Sequence, residues 1–180
     1  LLTVLIITVF ANRKPAPVNK IFGRLQIISS AWFALTHGAN DGQKTMGIIA
    51  LILFSAGMIP ELDIPIWVIF AAAAAMGLGT FFGGYKVIKT LGVKITRLKP
   101  YQGFAAETGG GIMLAAFAVL GIPASTTHAI TGTIMGSGAA RRKRAVRWKV
   151  SRQIVFSWII TIPGAAGMGI GFTYLIHLFV

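Results

Sequence analysis

Long apolar stretches of the chain are separated by short basic or polar ones. The clearest apolar stretch runs from Ile64 to Tyr85, and two others run from Leu1 to Ala11 and from Gln153 to Val180. Each of the two longer stretches provides the roughly 20 residues with which a helix crosses about 30 Å of hydrocarbon. We predict that these two are transmembrane helices, and we expect Leu1 to Ala11 to be the tail of a further one that begins upstream.

Basic residues mark the boundaries between these stretches. Sixteen of the 17 Lys and Arg residues lie in three blocks, Arg13 to Arg24, Lys86 to Lys99 and Arg141 to Arg152. Basic blocks between apolar stretches follow the positive-inside rule and suit contact with anionic lipid headgroups rather than nucleic acid. The chain is 55% hydrophobic and only 12% charged, against about 25% charged residues in soluble domains. We therefore predict an all-α integral membrane protein, with residues 1–180 forming a single membrane domain whose basic blocks face the cytoplasm.

The segment from Leu25 to Ile59 connects the first basic block to the acidic turn Pro60 to Pro65, which is expected on the external side. A single helix over this segment would be about 50 Å long, well beyond the hydrocarbon thickness. Gly38 and Gly42 flank Ala39, Asn40 and Asp41, and glycine weakens a helix. The sequence therefore predicts a transmembrane helix that is broken between the two glycines.

The segment from Tyr101 to Ala140 starts and ends at basic blocks, so it must cross the membrane an even number of times. It is barely long enough for two minimal spans of about 17 residues each. Its eight glycines and the turn Gly121 to His128 favour a re-entrant helical hairpin with its tip inside the protein. Ser125, or Ala124 before it, can act as the N-cap of the second helix.

The second basic block also carries apolar residues between its cations. They recur at roughly helical spacing, at Val87, Ile88, Leu91, Ile95 and Leu98. This pattern predicts an amphipathic helix on the membrane surface, interrupted near Gly92.

Polar residues at membrane depth are the candidates for function. A charge at the bilayer centre costs about 2.5 to 3.5 kcal/mol, so the polar stretch Asn40 to Thr45, Glu107, the tip Ser125 to His128 and Thr131 need an explanation. Two helix N-termini, one at each predicted break, would favour an anion, and with Lys44 and the hydroxyls they suit a tetrahedral oxyanion. The carboxylates of Asp41 and Glu107 suit a small cation such as Na⁺ or H⁺. Such discontinuous helices at the midplane are typical of secondary transporters.

These residues allow three other interpretations. Asp41 and Lys44 are three residues apart and can form a purely structural ion pair. His37 and His128 can carry protons, or can simply hydrogen-bond to the ligating groups. Ser125 with His128 suggests a hydrolase, but no orienting carboxylate is near in sequence and the G-x-S-x-G elbow is absent. We predict no catalytic site, no resident cofactor and, since the chain has no cysteine, no thiolate metal site.

Three motifs resemble those of a known family, in the order expected for it. His37 to Gly47 resembles the GAND signature of the inorganic phosphate transporter (PiT) family, and Gly103 to Glu107 resembles that family's second element. Gly121 to His128 resembles its third, usually written GxPVSTTH, with Ala124 where valine is common. The resemblance covers essentially the whole chain. It indicates the C-terminal repeat of such a permease, one half of an inverted-repeat transporter, with the N-terminal half absent.

The resemblance implies roles for the candidate residues. Asp41 and Glu107 would couple transport to a cation, and His37 and His128 are possible proton carriers. The phosphate site would be completed by the other half of the transporter or by a second protomer. The candidate phosphate ligands on this chain are Asn40, Gln43, Lys44, Thr45, Ser125, Thr126 and Thr127.

The implied function is secondary active transport. Inorganic phosphate would enter by symport with Na⁺ or H⁺ through alternating access, in a multi-pass protein of the bacterial inner membrane. A passive anion channel, and a membrane scaffold or receptor half without transport of its own, stay open as alternatives.

Overall fold

The computed structural model describes residues 1–178, and for residues 86–88 it describes the backbone alone. The described chain is helical with no strand, as the sequence predicts. A π-helical turn, Thr90–Ile95, extends the third helix, and a short 3-10 turn, Lys143–Ala145, precedes the last. The helices are α1 Leu2–Val9, α2 Pro15–Ser55, α3 Ile66–Lys89, α4 Pro100–Val119, α5 Thr126–Arg141 and α6 Trp148–His177.

Helix α2 runs without interruption from Pro15 to Ser55, so the predicted break between Gly38 and Gly42 is wrong. Each glycine weakens a helix by only about 1 kcal/mol relative to alanine. The packing of this 41-residue helix along α4 outweighs that cost. The backbone N–H groups after Asn40 are therefore engaged in the helix, and the first of the two predicted helix N-termini does not exist.

Helices α4 and α5 form a helical hairpin connected by residues 120–125. They are antiparallel, because Gln102 near the start of α4 donates from Nε2 to the carbonyl of Ser137 near the end of α5, at 3.0 Å. Gly121 follows α4 with φ of +67°, a left-handed conformation that favours glycine. Ser125 is the predicted N-cap of α5, and its Oγ accepts a hydrogen bond from the His128 N–H at 3.3 Å. That the hairpin re-enters the membrane remains a prediction.

Glycines bring α4 into close contact with α2. A Cβ atom on Gly103 would lie 2.2 Å from Nε2 of Gln26, and one on Gly111 would lie 2.6 Å from the ring of Trp32. The two helices run in the same direction, since the later residue of α4 meets the later residue of α2. Gly109, on the same helix α4, faces open space. The parallel packing of α2 and α4 carries the polar middle of α2 to the tip of the hairpin.

Two helices within residues 1–178 are long and apolar enough to cross a membrane. One is α3 with its extension, over Ile66–Ile95, and the other is α6. They correspond to the two predicted spans, although residues 179–180 of the second lie outside the described residues. In α6, Pro163 lies within the helix, and Ser151 is the buried residue.

The second basic block does not form a separate surface helix, so that prediction is wrong. Helix α3 continues to Lys89, and the π-helical turn then ends at Ile95. Ile95 is fully buried against Ala106, Ile134 and Val146, with Leu91 and Leu98 packed around this cluster. Ile95 is thus buried in protein rather than at a membrane surface, which removes its apolar side chain from water. The side chains of Val87 and Ile88 lie outside the described residues.

Candidate functional site

Asp41 joins the middle of α2 to the tip of the hairpin. Its Oδ1 accepts a hydrogen bond from Lys44 Nζ at 3.0 Å, and its Oδ2 accepts one from Thr126 Oγ1 at 2.9 Å. His37 Nε2 lies 3.0 Å from the same Oδ2. Since Thr126 is the first residue of α5, one carboxylate holds together two helices that are distant in sequence.

Lys44 makes a second contact with the tip. Its Nζ donates to the carbonyl oxygen of Ala124, the residue before the N-cap of α5. The pairing of Asp41 with Lys44 follows from their spacing of three on one helix. Two of the three ammonium donors are used in these contacts, which leaves a third for a ligand. Lys44 thus bonds both to Asp41 on its own helix and to the hairpin tip.

A cavity of about 200 Å³ lies beside Lys44, between α2 and the tip. Asn40 lines it and is buried, and its Oδ1 has no hydrogen-bond partner in the described part of the chain. An unpaired buried polar atom costs about 1 to 3 kcal/mol, so its retention points to a ligand or to a water. The lining residues are Asn40, Gln43, Lys44, Phe117, Ala118, Gly121, Ile122 and Pro123.

A second cavity, of about 300 Å³, lies on the α5 side of the tip. Ser125 and His128 line it, and Phe117 lines both cavities. The His128 ring packs on Trp158 of α6 with the centroids 3.9 Å apart. The Ser125 hydroxyl caps α5, and the His128 ring packs on Trp158 at an angle of 42°. No hydrogen bond joins the two side chains in the described part of the chain, so they are not arranged as a nucleophile and its base.

Glu107 forms a separate polar contact between α4 and the first half of α2. Its Oε2 accepts a hydrogen bond from Ser29 Oγ at 2.6 Å, and its Oε1 accepts one from Gln26 Nε2 at 3.4 Å. Ser29 precedes Asp41 by twelve residues, which is about 18 Å along a helix. The structure thus separates the two predicted cation-coupling carboxylates. Sequence reasoning missed Gln26 and Ser29, although they are polar residues three apart in an apolar segment.

The side chains of the remaining candidates form no hydrogen bond to the Asp41 carboxylate in the described part of the chain. Thr127 is exposed, and so is Thr45, whose Oγ1 donates to the carbonyl of Asp41 on its own helix at 3.2 Å. Thr131 and Thr108 are further buried hydroxyls whose Oγ1 atoms have no partner within residues 1–178. No group of three or more His, Asp and Glu side chains that could hold a metal ion occurs in that part of the chain.

The sequence and the fold match phosphate transporters. The model of the phosphate transporter family matches residues 3–169. A probable low-affinity inorganic phosphate transporter of Rhizobium meliloti (strain 1021) is 53% identical over 168 residues, which cover 92% of this chain and 50% of the relative. The protein of the same description in Bacillus subtilis (strain 168) is 42% identical over 162 residues, with 89% and 49% covered.

A solved structure described as the sodium-dependent phosphate transporter is also similar, with a TM-score of 0.72 and 34% identity. The similarity covers 87% of this chain and 41% of that one. The chain spans about half the length of the curated relatives that it matches. Because the family match extends over most of the sequence, the chain belongs to the phosphate transporter family, a family of transporters and not of enzymes.

Proposed function

We propose that the chain supplies one half of the pathway by which a transporter moves inorganic phosphate across the bacterial inner membrane together with Na⁺ or H⁺. The relatives are named as inorganic phosphate transporters, and the similar solved structure is described as sodium-dependent. Since this chain spans about half of those relatives, a second repeat, in the same protein or in a second protomer, would supply the rest of the site.

The observation that carries the proposal is the contact of Asp41 and Lys44 with the tip of the hairpin. Lys44 provides a positive charge with a free donor beside the cavity of about 200 Å³. Asn40 and Gln43 line the same cavity with amide groups, which can bind phosphate oxygens. A half-buried cation with neighbouring amide N–H donors suits a tetrahedral anion better than it suits an apolar solute.

The start of α5 is the second element of the proposed phosphate site. The backbone N–H groups of Thr126 and Thr127 precede the first intrahelical bonds, so they can donate to an anion at the positive end of the helix dipole. The hydroxyl of Thr126 is already bound to Asp41, and we propose that it positions this carboxylate. Ser125, Thr127 and Thr45 would become ligands where the second repeat covers them.

The coupling of phosphate to a cation can follow from the Asp41–Lys44 pair. In this proposal Asp41 neutralises Lys44 while the site is empty. A proton or Na⁺ bound at Asp41 would weaken that pairing and free the positive charge of Lys44 for phosphate. Glu107, on α4, would be a second cation ligand, and His37, which contacts Asp41, would exchange a proton with it. His128 packs on Trp158, away from the Asp41–Lys44 pair. It would carry a proton elsewhere along the transport pathway.

Uptake of radioactive phosphate into proteoliposomes tests the proposal. The complete permease containing this sequence should accumulate phosphate when a Na⁺ or H⁺ gradient is imposed. The present chain alone, without the other repeat, should not. Equal uptake without either gradient would instead indicate a passive channel. Phosphate binding with no uptake under any gradient would indicate a scaffold or receptor half.

A further inference from the structure

Helix α6 touches the rest of the described chain along one narrow face. Ser151 is buried, Ile154 packs on the cluster around Val146, and Trp158 packs on His128. These three contact residues, at positions 151, 154 and 158, follow the helical repeat. These contacts identify the face of α6 that packs on the rest of the chain, and therefore also the face that points away from it.

The opposite face begins with two cations and continues with large apolar side chains. Lys149 and Arg152 are exposed, and Phe156 and Ile159 are 63% and 65% exposed. Their positions follow the 3.6-residue period, so the four side chains form one stripe on the outside of α6. We call Lys149, Arg152, Phe156 and Ile159 the outer stripe.

The cations of the outer stripe have no carboxylate partner in the described part of the chain. Both ion pairs found there belong to Asp41. Glu107 is bound by Ser29 and Gln26, and the other two acids, Glu61 and Asp63, lie in the turn between α2 and α3. The charges of Lys149 and Arg152 are therefore available to an external anion.

Two hydrogen bonds anchor the start of α6 to neighbouring segments. The Arg147 N–H donates to the carbonyl of Ile95 at 2.8 Å, and the Trp148 indole Nε1 donates to the carbonyl of Lys143 at 2.9 Å. The Trp148 side chain is half exposed, and such a hydrogen-bonded, partly exposed indole is typical of the membrane interface. Lys149 and Arg152 are thus held at headgroup level, directly above an exposed apolar surface.

We propose that the outer stripe binds an anionic phospholipid, with the headgroup phosphate between Lys149 and Arg152 and an acyl chain along Phe156 and Ile159. The order of cations and then apolar side chains along α6 matches the order of headgroup and acyl chain in a lipid. A polypeptide covering the same stripe would have to supply acidic groups at one end and a purely apolar surface at the other. Charge complementarity therefore favours the lipid.

Native mass spectrometry of the purified complete protein with phosphatidylglycerol and phosphatidylcholine tests this proposal. The wild type should bind phosphatidylglycerol more tightly than phosphatidylcholine. In the double variant Lys149→Gln with Arg152→Gln, phosphatidylglycerol should bind about 25-fold more weakly, since each cation contributes about fivefold near an anionic surface. Binding of phosphatidylcholine should stay the same.

The matched control is Lys20→Gln with Arg24→Gln, which removes the same charge from exposed positions of α2. It should change phosphatidylglycerol binding much less than the α6 variant. An equal loss in both variants, or no loss in either, would overturn the proposal, because the preference would then reflect overall charge or be absent.

A photo-crosslinking residue at Phe156 distinguishes a lipid from a protein occupant. Irradiation in membranes should give an adduct with the mass of a phospholipid. An adduct with a peptide of the second repeat or of another copy would show that the outer stripe is a protein interface. Both readouts are independent of phosphate uptake, so they do not depend on the proposed transport function.

Discussion

Thr126 Oγ1 donates a 2.9 Å hydrogen bond to Asp41 Oδ2 across the contact between α5 and α2. The two residues are 85 positions apart in sequence, and Thr126 is buried. The bond attaches the N-terminus of α5 to the carboxylate that also binds Lys44. The bond therefore links the hairpin tip to the Asp41–Lys44 pair.

Replacing Thr126 by valine tests this link. Thr126→Val keeps the shape of the side chain but leaves Asp41 Oδ2 with one donor fewer, so the protein should lose about 1 kcal/mol of stability. The measurement is thermal unfolding of the purified protein in detergent. Thr127→Val is the control, since Thr127 is exposed and its loss should change stability by less than about 0.5 kcal/mol. Equal effects would mean that the bond does not hold the tip.

Asp41→Asn should abolish gradient-driven phosphate uptake by the complete permease while leaving membrane insertion intact. Asparagine still accepts a hydrogen bond through its carbonyl oxygen but no longer carries the charge that neutralises Lys44 and binds a cation. Asp63→Asn is a matched control at an exposed turn and should transport normally. Full uptake by Asp41→Asn would remove the coupling role that we propose for this residue.

Glu107→Gln should also abolish uptake, with little effect on stability. Glutamine keeps an oxygen that can accept from Ser29, so the packing of α4 on α2 is preserved while the negative charge is lost. Uptake and unfolding should be measured on the same preparation. Loss of both together would point to a structural role for Glu107, and normal uptake would exclude a role in coupling.

Ser125→Ala removes the N-cap of α5 and should cost about 1 kcal/mol of stability. If the hydroxyl also binds phosphate, the apparent affinity should fall by about 1 to 3 kcal/mol. Ser125→Asn separates the two effects, because asparagine is a good N-cap. We expect the asparagine variant to recover stability but not phosphate affinity. Recovery of both would show that Ser125 acts only through the helix end.

Gly111→Ala should destabilise the protein by about 1 to 3 kcal/mol, because the added methyl group would overlap the ring of Trp32. The control is Gly109→Ala on the same helix, which faces open space and should be neutral or stabilising by up to about 1 kcal/mol. Thermal unfolding of both variants measures the difference. Equal stabilities would contradict the close packing of α4 on α2.

Local features of the sequence predicted local features of the structure. The spacing of Asp41 and Lys44 predicted their pairing, the turn chemistry predicted the N-cap at Ser125, and the long apolar stretches matched α3 and α6. Each of these depends on residues close together in the chain.

The failures concern partners that are distant in sequence. The break at Gly38 and Gly42 was predicted from glycine propensity, which is weak beside the packing of a long helix on α4. The surface helix was predicted from an amphipathic pattern, which does not reveal whether Ile95 is buried in lipid or in protein. The partner of Glu107, Ser29, lies 78 residues away, and no local signal connects them.

Because α2 is continuous, a change in its tilt at one point displaces the residues further along it. Ser29 contacts Glu107 and Asp41 contacts the hairpin tip, and the two residues lie about 18 Å apart on the same continuous helix. A tilt of about ten degrees around Ser29 would displace Asp41 by about 3 Å, enough to break its hydrogen bonds to the tip. A movement at the Glu107 contact would thus change the hydrogen bonds of Asp41, although the two carboxylates share no partner. A helix interrupted at Gly38 would not transmit this movement.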